Sequence, residues 1–179
     1  MQQFYGTKKI AAKPMTRAEY NTFRGWELPA NENTSDEGYL VEYLDGGKPN
    51  VEGYTGYVSW SPKEQFESAY QPTTAMSFGH AIAALKSGQK VARAGWNGKG
   101  MWLYLVPANG YPAQTEAAKE YWRGKGGNSE NTPVPVVPYG AYIAMKTAQE
   151  NVVPWLASQS DVLADDWQIV DELPQSVAA

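Results

Sequence analysis

The sequence predicts an α+β fold: a small antiparallel sheet with short helices in the C-terminal part, preceded by a small α+β module. Three features predict it. Met76 to Val106, MSFGHAIAALKSGQKVARAGWNGKGMWLYLV, reads as one amphipathic helix, a sharp stop and a strand-turn-strand. Upstream, Thr16-Arg17-Ala18-Glu19 and Ser61-Pro62-Lys63-Glu64 have the S/T-x-x-E form of a helix-opening capping box, each close to an alternating strand pattern. Between the two parts, Gln71 to Ala75 is a short Pro-bearing polar stretch. The expected division is residues 1–71, a domain over 76–171, and a frayed tail over 172–179.

In chain order, Met1 to Pro14 is polar and Lys-bearing, an arm or an edge strand. The Thr16 box opens a helix ending near Phe23, and Leu28 to Glu37 is a polar loop. Gly38 to Leu44 alternates Tyr39, Val41 and Tyr43 against Leu40 and Glu42, and Asp45-Gly46-Gly47 turns the chain. Gly56 to Trp60 is the next strand, and the Ser61 box, with Pro62 at the first helical position, opens a helix carrying Phe66 and Tyr70. These aromatic rows read as core.

In the second part, Ser77 caps a helix whose apolar face is Phe78, Ala81, Ile82 and Leu85, and Gly88 stands where a left-handed residue must end it. Lys90 to Ala94 and Met101 to Val106 are strands around the turn Trp96-Asn97-Gly98-Lys99-Gly100. Pro107 to Pro112 reads as a loop, and Ala113 to Trp122 as a helix with Ala117 and Tyr121, and Trp122 as a further candidate, on one side. The Gly-, Asn-, Ser- and Pro-rich run RGKGGNSENTPVPVVPYG predicts a mobile flap or crossing loop, with residues 123–138 either a tolerated surface insertion or a lid over a pocket. Ala141 to Lys146 and Val152 to Leu156 form a hairpin. Ser158 then caps a short helix with Asp161 completing the box, and Trp167 to Val170 is the last strand.

The chain has 179 residues, 42% hydrophobic and 19% charged, enough to bury a core. Net charge is −4 with no Lys/Arg-rich run, which argues against duplex nucleic acid as partner. With no Cys there is neither a disulfide framework nor a thiolate site. The start MQQFYGTKK lacks the apolar core of a secretion signal and any membrane span, so the expectation is a cytoplasmic protein with no membrane partner.

Catalysis leaves little trace. His80 is the only histidine and lies on the polar side of its helix, where solvation is the expected state. P-loop, dinucleotide-binding glycine fingerprint and nucleophile elbow are all absent from the sequence. No metal ligand set and no cofactor site emerges, because one His and scattered carboxylates show no coordinating spacing. Asp161 with Asp165 or Asp166 could form an acid-base pair, but acidic residues at a helix start serve equally as dipole partners.

The turn offers more. Trp96, Asn97 and Lys99, with Arg93 just before them, combine a flat stacking surface, an amide and two cations, the groups that hold a nucleotide. Packing of Trp96 on its own sheet is the competing reading.

The segments GWNGKG, PWLASQSD at Pro154 to Asp161 and LADDW at Leu163 to Trp167 resemble the second Thoeris anti-defence family of phages, and the likeness spans Met76 to Val170. The resemblance implies a non-enzymatic sponge that binds a cyclic nucleotide immune signal of the infected host cytoplasm. The implied ligands are a cyclic ADP-ribose isomer or cyclic di- and trinucleotides, and the implied assembly is a homo-oligomer, dimer or tetramer. It further implies a pocket between the GWNGKG turn and the SQSDVLADDW segment. Trp96 would stack on the base, Asn97 and Asp161 would meet base edges or ribose hydroxyls, and Arg93 and Lys99 would meet phosphates. Tyr139 and Ser158 would line the rim. The first part resembles a small phage module of unassigned role. The rival reading is a phage structural protein or a protein inhibitor of an immune effector, with the exposed aromatics as its interface.

Overall fold

Strands Ile10–Pro14 (β1), Gly38–Tyr43 (β2) and Tyr57–Pro62 (β3) pair antiparallel in the order β1-β2-β3. The computed structural model describes residues 1–27, 29–30 and 32–170. These fall into two units, Met1–Gln71 and Pro72–Ala179, each taken separately below.

In the first unit, helix Arg17–Arg24 (α1) starts at the expected capping box: Thr16 accepts from the Glu19 backbone, and the Glu19 carboxylate accepts from Thr16 N–H at 2.7 Å. Its Tyr20 closes a core with Leu40 and Val58 on one sheet face. On the other face, helix Lys63–Ala69 (α2) stacks Phe66 on Tyr39 at 3.9 Å between ring centroids. The expected Ser61 cap does not form. Pro62 is the N-cap and has no side-chain cap bond, because Ser61 is still paired with Tyr39 in the strand ladder. The long-range pairing outweighs a local cap worth about 1 kcal/mol.

The second unit is built on a five-stranded antiparallel sheet in the order β10-β4-β5-β8-β9. Its strands are Val91–Arg93 (β4), Trp102–Val106 (β5), Tyr142–Lys146 (β8), Val152–Pro154 (β9) and Trp167–Ile169 (β10). Helix Phe78–Lys86 (α3) lies against it. Ala81, Leu85, Val91, Leu103 and Trp167 are all at most 1% exposed and form one core, into which Phe78 and Ile82 pack from the expected helix face. Gly88 takes φ +86°, the left-handed conformation that ends α3. Ser77 occupies the N-cap position without a side-chain cap bond to the backbone. Its hydroxyl meets half-buried His80 Nδ1 at 2.9 Å, so His80 belongs to the helix start instead of being merely solvated.

Two expected loops are strands. Asn109–Pro112 (β6) pairs with Val136–Tyr139 (β7) as a separate antiparallel ribbon, although the first carries Gly110 and Pro112 and the second Pro138. The second sits inside the run read as a mobile flap. Asn128 explains the ordering. Its Oδ1 accepts from Val136 N at 2.8 Å while its Nδ2 donates to the carbonyls of Trp122, Lys125 and Val136, which ties the Gly-rich loop to the ribbon. Helix Glu116–Trp122 (α4) is capped by Thr115; of the residues read as its packed side, Trp122 is half-buried, whereas Ala117 is exposed and Tyr121 is 59% exposed. A final short helix, Gln159–Val162 (α5), carries the expected Ser158/Asp161 box. The expected tail, 172–179, lies outside the described residues.

Candidate functional site

The site grows from the end of β4. Arg93 faces Trp167 across the β4–β10 pair, and Ala94 N donates to the Asp166 carbonyl at 3.0 Å, so the start of the turn is strapped to the chain before β10. The Asp166 side chain completes the strap. Its Oδ2 accepts from Gly95 N at 2.7 Å and its Oδ1 from Arg93 Nε at 2.7 Å. Gly95 is needed there for space: a Cβ would stand 2.8 Å from Asp166 Oδ2.

Arg93 binds two carboxylates at once. Nη1 donates to Asp161 Oδ1 at 2.9 Å and to the Ser160 carbonyl at 3.2 Å, so the planar fork joins α5 to the segment before β10. Asp161 is correspondingly occupied. Oδ1 also accepts from Trp96 Nε1 at 3.2 Å, and Oδ2 accepts from Ser158 Oγ at 2.6 Å and from Ser158 N at 3.2 Å. Burial favours the neutral acid, but the bonds from Ser158, Arg93 and Trp96 outweigh it and hold the Asp161 carboxyl at about 2. Asp166 is also held below the ordinary carboxylate range, by Arg93 first and Gly95 N–H next. Arg93 is raised in turn, first by Asp166 and then by Asp161.

Trp96 is half-buried and set by three contacts. Besides Asp161, its ring meets Trp167 edge-on at 5.5 Å and Trp155 at 6.5 Å, and Trp167 is itself fixed by its Nε1 bond to the Asp161 carbonyl at 3.0 Å. Phe78 packs on Trp155 and Trp167 from α3. Trp167 is therefore core, as its apolar neighbours imply, while Trp155 is half-buried and packs against that core. Trp96 is packed on one part and open on another.

Asn97 and Lys99 stand exposed at the crest of the turn, with no polar side-chain partner among the described residues. The structure thus brings together Arg93, Trp96, Asp161 and Ser158 directly, with Asn97 and Lys99 on the same turn. Tyr139 lies on β7. It is 50% exposed on the β6–β7 ribbon and its ring partner is Tyr111 at 5.8 Å. Asp166 is the member that residue types alone left undecided, since Asp165 offered the same charge one position earlier.

Among the described residues no group of three or more His, Asp or Glu side chains is placed to hold a metal ion, and no helix is long and apolar enough to cross a membrane. A family model described as a Thoeris anti-defense 2-like domain matches residues 76–170, the stretch that contains this whole network. A curated relative, Thoeris anti-defense 2 from Bacillus phage SP01, is 42% identical over 97 residues, covering 54% of this chain and 97% of the relative.

Proposed function

This chain belongs to the Thoeris anti-defense 2-like family, and on that premise we propose that it sequesters a cyclic nucleotide immune signal without cleaving it. The ligand class is a cyclic ADP-ribose isomer, with cyclic di- and trinucleotides as further candidates, met in the cytoplasm of the infected host. One observation carries the reading: Trp96 is oriented by Asp161, Trp155 and Trp167 yet stays half-exposed beside exposed Asn97 and Lys99. A preoriented indole next to an amide and a cation suits a base with its attached phosphate.

Arg93 and Asp161 act here chiefly as positioning residues, because their polar atoms are engaged with each other, Asp166 and Ser158. Arg93 Nη2 makes none of those bonds and remains the atom with which Arg93 would reach a phosphate. The same network disfavours hydrolysis. A carboxyl held at about 2 carries no proton to donate at neutral pH and is a weak base. Leu156 and Leu163, 91% and 75% exposed on either side of α5, support a homo-oligomer, dimer or tetramer, whose interface would cover them.

The test is calorimetric titration with a cyclic ADP-ribose isomer and with cyclic di- and trinucleotides, then heat denaturation and chromatography of the released ligand. Tight binding and intact recovery are expected, with Trp96→Ala weakening it about 5- to 150-fold. Cleaved product would establish an enzyme. No heat with any of these ligands would overturn the reading in favour of a protein partner.

A further inference from the structure

The first unit holds an open concavity of about 740 Å³ lined by Tyr43, Tyr57, Tyr70, Lys8, Asp45 and Ser59, next to the Gly46-Gly47 turn. Its making is local. Tyr43 and Tyr57 face each other across the β2–β3 ladder with ring centroids 6.4 Å apart, and Tyr70 arrives from the end of α2, where its N–H bonds the Phe66 carbonyl. The β1–β2 pairing runs one step past Ile10–Tyr43, with Leu44 N donating to the Lys9 carbonyl, which sets Lys8 beside Asp45.

Lys8 then behaves as a ligand of this concavity. Its Nζ sits 5.1 Å from the Tyr43 ring centroid and 3.7 Å from Asp45 Oδ1, while its side chain is 55% exposed. An ammonium over a phenol ring with a carboxylate beside it is how proteins recognise alkylammonium groups. The volume greatly exceeds one lysine tip, and two further tyrosine rings and Ser59 line the remainder. The unit is acidic as a whole, with ten Asp and Glu against seven Lys and Arg in residues 1–71, so its field draws cations in. An anionic ligand would meet Asp45 and find Lys8 already paired.

We propose that this concavity is a binding site for a primary alkylammonium group, and that Lys8 is its weakly held intramolecular occupant. The group comes either from a free polyamine or from a lysine side chain of another protein. The site lies in the unit outside the family match, so its test is independent of nucleotide binding.

The experiment titrates the full chain with spermidine and, separately, with N-acetyl-lysine amide, following the tyrosine resonances by NMR. Removing the internal competitor with Lys8→Ala should tighten binding about two- to tenfold, since the wild-type site is open only part of the time. In the Lys8→Ala background, Tyr57→Leu should cost about two- to fivefold and Asp45→Asn more. Tyr57 is 47% exposed and the Asp45 side chain 38%, so neither change reaches the core, and an unchanged thermal midpoint checks that. Preference between the two probes identifies the source. Lys8→Ala that binds neither probe, or binds no better than wild type, overturns the proposal. So does displacement of spermidine by Mg²⁺ at equal concentration, which would show a general acidic surface.

Discussion

Arg93→Met keeps the aliphatic stem and removes the guanidinium, leaving Asp161 and Asp166 facing an empty centre. The side chains of Arg93, Asp161 and Asp166 are 18%, 13% and 34% exposed, so this cluster lies between a surface pair and a buried one. Exposed pairs are worth about 0–1 kcal/mol, whereas stripping one partner from a buried pair costs about 3–5 kcal/mol. We expect a loss of roughly 2–3 kcal/mol at pH 7, read by equilibrium urea unfolding. The sign of the pH dependence follows from the carboxylates. Both are depressed in the folded protein, so the stability they contribute is present above the ordinary carboxylate range and is lost as pH falls through their lowered folded-state values, about 2 for Asp161. The gap between wild type and Arg93→Met should therefore narrow between pH 5 and pH 2.5. Arg93→Lys should recover less than half, because one ammonium cannot reproduce separate Nε and Nη1 bonds to two carboxylates. A loss below about 0.5 kcal/mol, or a gap independent of pH, would refute the reasoning.

Gly95→Ala tests the close approach alone, since its φ lies outside the left-handed region: the new Cβ, 2.8 Å from Asp166 Oδ2, should displace that carboxylate and cost about 1–2 kcal/mol in urea unfolding. Asp161→Asn keeps the shape and removes the charge, so between pH 5 and 2 it should lose on the order of 2 kcal/mol less stability than wild type, while the remaining depressed carboxylates, Asp166 among them, still contribute their own acid dependence. Asn128→Ala removes the clamp on the Gly-rich loop. Amide exchange at Asn109–Pro112 and Val136–Tyr139 should accelerate about tenfold or more while the five-stranded sheet keeps its protection, as measured by hydrogen-exchange mass spectrometry.

Local signals were legible wherever one residue's job is decided within a turn of chain. The Thr16/Glu19 and Ser158/Asp161 boxes, the Ala81–Leu85 stripe and the Gly88 stop depend on spacings of three to seven residues, and all appear as read. Ser61 shows the limit. Its box is locally as good as that of Thr16, but Ser61 is still a strand residue opposite Tyr39, and nothing nearby in sequence records that partner. The β6–β7 ribbon was hidden for the same reason. Pro and Gly lower strand propensity, and the compensation comes from Asn128, whose amide could have served any turn. At the site, Trp96 and Asp161 were visible as candidates, whereas the choice of Asp166 over Asp165 depends on which side of the chain faces Arg93, 73 positions earlier.

The division of labour within the site bears on how many subunits a ligand must meet. Nanomolar sequestration requires about 12 kcal/mol after an association cost of at least 4 kcal/mol. One turn offers a Trp96 stack of about 1–3 kcal/mol and two or three charged or polar contacts of roughly 1.5–3 kcal/mol each from Lys99, Asn97 and Arg93 Nη2. That sum falls short for one subunit, because Arg93 and Asp161 use most of their hydrogen-bonding capacity to hold the turn in place. A ligand bridging two turns would close the difference, and the exposed Leu156 and Leu163 beside α5 provide apolar surface for the required contact. Leu163→Asp should then lower the mass seen by light scattering and weaken nucleotide binding about 100-fold or more, the two effects titrating together with protein concentration. If the dissociated subunit binds as tightly as the assembly, the pocket is complete within one chain, and the affinity must come from contacts outside this turn.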